Sequence, residues 1–363
     1  MKKYYLFIVL IAPLFISAQK KLDLDRFNFK VQFRSLPYIK LDSTYRTYNV
    51  SVTGTKLMQP FLKDMEPSNT VLLQGWRKLP QDGHLNIEVK LQDLLPETVN
   101  VKERSIATKD RNGVVKSTKS VYYQEVVYTF EARAQITDYK GAYIMDEQLV
   151  SRSYKQTYTS PEFGLKALAE GYFILNSVNI TKDLYRNCVN RAMQNLSSTI
   201  TDNFGFAEVT AADYMLVIGS RKHPEYDDNR KAFQLMNEVL FNMNAGSSII
   251  GAREKLQPAI EYFEQIKTTY STSKKHDRKI RYASFFNLAV LYYYLDDPEQ
   301  MMKQANGLIL NDFNTGVGKS FQETALNLKN QFQQTNINTR HFSIDINEFK
   351  GPKEKPYIAD NDY

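Results

Sequence analysis

The stretch Ala283–Asn311, ASFFNLAVLYYYLDDPEQMMKQANGLILN, reads as two antiparallel helices joined by a tight turn. Phe285, Leu288, Ala289 and Tyr292 recur at the three-and-four spacing of one helical face, and Asp296-Asp297-Pro298 ends that helix and starts the next. Met301, Met302, Ala305, Leu308 and Ile309 supply the facing stripe. Asp297 is placed as an N-cap whose carboxylate accepts an orphan backbone N–H, and Pro298 takes the first helical position, where no N–H is needed. The turn is therefore chemically specified, and the chain around it is expected to be helical.

These residues resemble a tetratricopeptide repeat, a helix pair with large and small side chains at fixed offsets. Phe285 stands at the family's Trp, Leu288 at its Leu, Ala289 at its small residue, Tyr292 at its Tyr and Asp296-Asp297 at its interhelical turn. Three positions depart from the pattern: Met301 replaces a small Ala, Ala305 a large aromatic and Phe313 the closing Pro. Upstream, Ala259, Phe263 and Ile266 reproduce the second helix of a preceding repeat; downstream, Phe321, Ala325, Leu328 and Phe332 make a helix suited to cap the stack. The resemblance covers residues 230–332 and implies an all-α stack that holds other proteins. An ordinary helical hairpin packed on its neighbours is the alternative reading.

At the other end, Met1 to Ala18 carries a basic start (Lys2, Lys3), an apolar run from Tyr4 to Phe15 and Ile16-Ser17-Ala18 before Gln19. This is the pattern of a secretory signal peptide, residues 1–18, with the mature chain beginning near Gln19. No Cys follows the apolar run, so the exported protein is expected to be non-lipidated and periplasmic, and no later run is long enough for a direct membrane span. Without the signal, 45 basic residues face 40 acidic ones. That mild and interspersed excess, with no basic stripe interleaved with aromatics, argues against nucleic acid as a partner. The only cysteine, Cys188, falls in line with Leu184, Ala192 and Leu196 at four-residue spacing and reads as a buried core residue.

From about Phe27 to Tyr158 the chain is rich in Tyr, Val, Thr and Phe with period-two alternation. Strands are expected at 29–33, 48–52, 85–91, 101–108, 114–121 and 143–150, with a further β-prone run over 122–137. Asp110-Arg111-Asn112-Gly113 supplies the positive φ of a hairpin turn. Helices are expected at 161–175 and 182–200, and 212–219 reads as a buried strand returning to the sheet. The expected fold is therefore α+β: an N-terminal antiparallel β-rich domain (19–222), sandwich-like or an open sheet with helices, then an all-α TPR-like domain (223–335) and an extended C-terminal tail (336–363), loose from Lys350 onward.

Catalytic signatures are sparse. His84, His223, His276 and His341 are scattered without metal-ligand spacing and read as surface or capping residues; Asp227-Asp228 falls in a linker and Gly316-Val317-Gly318-Lys319-Ser320 in a loop. No enzyme, cofactor or metal is expected. The candidate partner-binding residues are Tyr292, Tyr293 and Tyr294, which lie about 100° apart on a helix and so cannot all face a core, together with Lys274, Lys275 and Arg278 in the densest basic patch. The reading that results is a periplasmic scaffold or accessory subunit of a cell-envelope machine, such as one for outer-membrane protein assembly or secretion, binding other envelope proteins. A glycan-binding module using exposed aromatics is the alternative, and a hydrolase with a non-local site a third.

Overall fold

Leu85, Ile87, Val89 and Leu91 alternate with Asn86, Glu88 and Lys90, and in the computed structural model, which describes residues 22–354, the first set is buried and the second faces outward. This strand, β4 (Leu85–Leu91), lies at the centre of a five-stranded sheet ordered β3 (Arg77–Lys78), β2 (Thr47–Gly54), β4, β7 (Ala132–Asp138), β8 (Tyr143–Val150). β4 runs antiparallel to β7, and β7 to β8, while β2 pairs in parallel with both β3 and β4. The sheet is thus mixed where an antiparallel one was expected. The parallel pairs need a crossover, and residues 55–84 provide it with a short helix, α1 (Gln59–Lys63), and a 3₁₀ turn.

The β-prone run over 122–137 is not one strand. It divides at Phe130, fully buried and edge-on to Tyr185 at 5.6 Å. The part before the break, β6 (Val115–Thr129), belongs to a separate three-stranded antiparallel sheet ordered β5 (Leu95–Lys109), β6, β9 (Gln156–Thr159). The expected turn closes β5 onto β6: Asp110 accepts the N–H groups of Asn112 and Val114 on its side chain, and Gly113 sits at φ +82°.

The two helices expected at 161–175 and 182–200 are one, α2 (Lys166–Phe204), 39 residues long. The polar segment between them does not break it, because Asn176 and Ser177 bond back to the carbonyls of Tyr172 and Ile174 within the same helix. From Ile180 onward α2 buries Tyr185, Val189, Ala192, Met193, Leu196 and Ile200. Cys188 lies among them as expected, 1 % exposed, and burial pushes its thiol up to about 11.

Two compact units divide the described residues, and neither is a single continuous segment: one holds residues 34–209 and 334–354, the other residues 22–33 and 210–333. The boundary expected at 222/223 therefore does not separate them. The segment expected as an extended tail is neither extended throughout nor loose over 336–354: it turns through a short 3₁₀ helix at Ile346–Glu348. Arg34, 7 % exposed, donates to the carbonyls of Phe206 and Phe342 and to Glu208; Arg77 donates to the Phe349 carbonyl and pairs with Glu354; Lys353 pairs with Asp82. Residues 355–363 and the signal-like residues 1–18 lie outside the described residues.

In the other unit, the strand expected to return to the β-rich sheet pairs instead with the first strand, as β10 (Glu208–Ile218) with β1 (Leu24–Arg34). The free edge of β10 is closed by side chains. Asn287 accepts the Leu216 N–H and donates to the Leu216 carbonyl, both at 2.8 Å, and Asn229 accepts the Ile218 N–H at 2.9 Å. Both amides are almost fully buried. They come from α5 (Lys275–Tyr294) and α3 (Tyr226–Asn242). α3 packs on α4 (Ile250–Thr269), α4 on α5 and α5 on α6 (Pro298–Asn311), while α7 (Thr315–Thr335) sets Phe321 against Phe286 of α5. Asp297 caps α6 by accepting the Gln300 N–H, as its position predicted. Asp227-Asp228 and Gly316–Ser320, expected in a linker and a loop, form the first turns of α3 and α7.

Candidate partner-binding surfaces

The tyrosine triplet does not form a recognition surface. Tyr294 is buried edge-on against Phe29, and its hydroxyl donates to Asp213 at 3.0 Å. Tyr292 is buried on the opposite side, where burial raises its pKa. Only Tyr293 is half-exposed, its ring edge-on to Tyr294 at 4.9 Å. Adjacent residues 100° apart cannot share one face, but α5 is covered on nearly every side from Ala283 to Leu295, so divergent directions still lead into packing. The aromatic platform that a glycan would need is absent at these three positions.

The basic patch splits likewise. Lys274 and Lys275 are exposed at the start of α5. Arg278 is turned inward: Nε donates to the Asn311 carbonyl and Nη2 to Asp312, both at 3.0 Å, closing the C-terminal end of α6.

An apolar surface outside these candidate residues lies on the first half of α2. Leu168, Ile174, Leu175 and Val178, with Leu165 just ahead of the helix, are 55 to 86 % exposed. Leu168, Gly171, Leu175 and Val178 follow at three-and-four spacing, so they line one stripe. Two neighbouring positions are engaged within the chain: Ala169 is fully buried and Tyr172 packs against Phe163 at 5.3 Å. A Cβ at Gly171 would meet nothing within 4 Å, so no packing inside the chain requires glycine there. Four solvent-exposed aliphatic side chains on one helix segment, with a fifth just ahead of it, exceed the scattered exposure ordinary on a monomer surface. The signal was present in GYFILNSVNI, which is apolar on more than one helical face.

His84 and His341 depart from the surface or capping reading. His84 is buried, with Nδ1 at 2.7 Å from Thr47 Oγ1 and its ring stacked on Tyr45; His341 is buried too. His223 and His276 are brought together, stacked at 5.4 Å, and His223 Nδ1 accepts the Glu225 N–H. Among the described residues, no group of three His, Cys, Asp or Glu side chains is placed to hold a metal ion.

Burial holds the pKa of His84 and of His223 below the usual imidazole value, and for His223 the neighbouring His276 adds to the effect. The unfolded chain then binds more protons than the folded one across the window between the unfolded value and the lower folded values. Stability is full above about pH 6.5 and falls as the pH drops through that window. The thermal midpoint is expected to be lower at about pH 5 than at about pH 7, and the double variant H84Q/H223Q is expected to narrow the difference. An unchanged difference would place the acid sensitivity in other groups.

No family model matches this chain, and no curated protein is significantly similar to it. Among the described residues no helix is long and apolar enough to cross a membrane.

Proposed function

We propose that this protein is an exported, non-enzymatic scaffold or accessory subunit that binds another envelope protein through the first half of α2. The observation that carries this reading is the apolar stripe Leu165, Leu168, Leu175 and Val178 with Ile174 beside it, left open to solvent on a helix that is packed from Ile180 onward. Apolar area of this kind is stabilised by covering, at roughly 25 cal/mol per Å² removed from water. The open Gly171 lets a partner backbone approach the stripe closely. The succession of helices α3 to α6, with the capped turn at Asp297-Pro298, supports the resemblance to tetratricopeptide repeats and a role in holding proteins. The signal-peptide pattern of Met1–Ala18 supports export, with a periplasmic location and an outer-membrane assembly or secretion complex as the partner class.

The test is site-specific photo-crosslinking in the protein's own cells. A benzophenone side chain at Leu175 is expected to give one discrete adduct with an envelope protein, and the adduct is expected to vanish when Val178→Asp is added. The same probe at Asn190, exposed on the later part of α2, is expected to give none. Equal adducts at both positions, or none at Leu175, would refute the assignment.

A further inference from the structure

The β5–β6 hairpin continues well past the body that supports it. Up to the pair Arg104↔Val121 it is anchored: Val126 and Tyr128 are buried, Tyr122 bridges Phe163, and Arg104 pairs with Glu162. Beyond that point residues 105–109 and 111–119 are exposed on both faces. The projecting strands, from Ser105 to Lys109 on β5, are about 17 Å long at roughly 3.3 Å per residue, with the turn beyond them. A two-stranded ribbon without a buried face is marginal in water, so burial within the chain does not account for its length.

Three properties describe what would cover it. Residues 101–120 hold six basic side chains against Glu103 and Asp110, a net +4 out of +7 for the whole chain. Lys109, Arg111, Lys116 and Lys119 are exposed and take part in no ion pair among the described residues. β5 is also the edge of its sheet, so among the described residues one side of its backbone has no strand partner. Register shifts at Pro96/Thr98 and Thr108/Lys109 bound a regular edge over 98–108 that contains neither Pro nor Gly. Finally, Val99, Ile106, Val114 and Val115 place β-branched side chains in solvent along the ribbon, while 102–120 contains no aromatic on which a base could stack. The polar tip, Asp110-Arg111-Asn112-Gly113, is unsuited to entering a lipid core.

We infer that the β5 edge over residues 98–108 accepts an extended, acidic segment of a partner protein as an added strand, with the four free cations of the arm fixing its sign of charge. Main-chain hydrogen bonds along the edge would supply affinity, and the cations would supply association rate and selectivity. This surface is separate from the α2 stripe and does not rest on the partner proposed for it.

The test uses the full chain and a fluorescein-labelled eleven-residue peptide of alternating Glu and Val/Thr. The peptide is expected to bind at low salt and to protect the amides of 98–108 from hydrogen exchange. The variant K109E/R111E/K116E/K119E, altered only at exposed positions, is expected to bind it at least about tenfold more weakly, as reversal of peripheral charges does, with exchange elsewhere unchanged. Absence of binding up to about 1 mM, or binding that leaves 98–108 unprotected, would overturn the inference. Displacement of the peptide by phosphatidylglycerol vesicles without edge protection would reduce the arm to a charge patch. Concentration-dependent protection of 98–108 in the chain alone would assign the edge to a second copy.

Discussion

Replacing Asn287 by Leu is expected to destabilise the helical unit by about 2–5 kcal/mol, the cost of leaving one buried N–H and one buried C=O unpaired. Asn287 is 1 % exposed, and its amide gives Leu216 both of the hydrogen bonds that a neighbouring strand would have made. Leucine has similar volume, so the loss isolates the hydrogen bonds from packing. With whole-domain stabilities of about 5–15 kcal/mol, a loss of this size is a large fraction of the total. It corresponds to a fall of roughly 5–15 °C in thermal midpoint for a unit of this size. Urea denaturation followed by circular dichroism of the full chain checks it. A loss below about 1 kcal/mol would mean that the Leu216 backbone finds another partner and that the amide is not what closes the β10 edge.

Gly83→Ala is expected to cost about 2–4 kcal/mol, in the range of overpacking changes that move backbone. A Cβ at residue 83 would lie 2.5 Å from the carbonyl carbon of Tyr48, 2.6 Å from its Cα and 2.7 Å from the Asn49 nitrogen. These are main-chain atoms of β2, so no rotamer change relieves the clash. The Gly83 N–H also donates to the Asn49 side chain at 2.8 Å, two residues before the parallel register opens at Tyr48↔Leu85. The substitution therefore separates β2 from β4 at the start of their pairing. The only tryptophan, Trp76, is buried in the same unit with its indole N–H on the Phe204 carbonyl, and its fluorescence reports the transition. Gly164→Ala, at a position with nothing within 4 Å, is the control and is expected to leave the midpoint unchanged. Equal midpoints for both variants would show that β2 and β4 tolerate the added carbon.

The candidate surfaces were less legible in the sequence than the fold. Tyr292, Tyr293 and Tyr294 were singled out by density, but density does not say how many neighbours surround a helix, and α5 is covered on nearly all sides. Arg278 was read with Lys274 and Lys275 by adjacency, whereas its partners Asn311 and Asp312 are more than thirty residues away. The stripe on α2 runs past the end of the helix expected at 161–175, to Val178 in the stretch expected to separate two helices, and which side of the helix stays open depends on what packs against Ala169 and Tyr172.

The sequence by itself determined the local elements: the α+β class, β4 and β8 to the residue, the Asp110–Gly113 turn, the Asp297-Pro298 cap and the burial of Cys188. Each depends on interactions within a few residues or on periodicity along one strand or helix, and these are written in order along the chain. Tertiary structure alone decided that β10 pairs with β1, that β2 and β4 run parallel, that 122–137 divides between two sheets and that Arg34 and Arg77 bind the segment near residues 342–354. These depend on pairings between residues tens to hundreds of positions apart. Several partners satisfy the same backbone groups equally well until packing of the whole unit selects one.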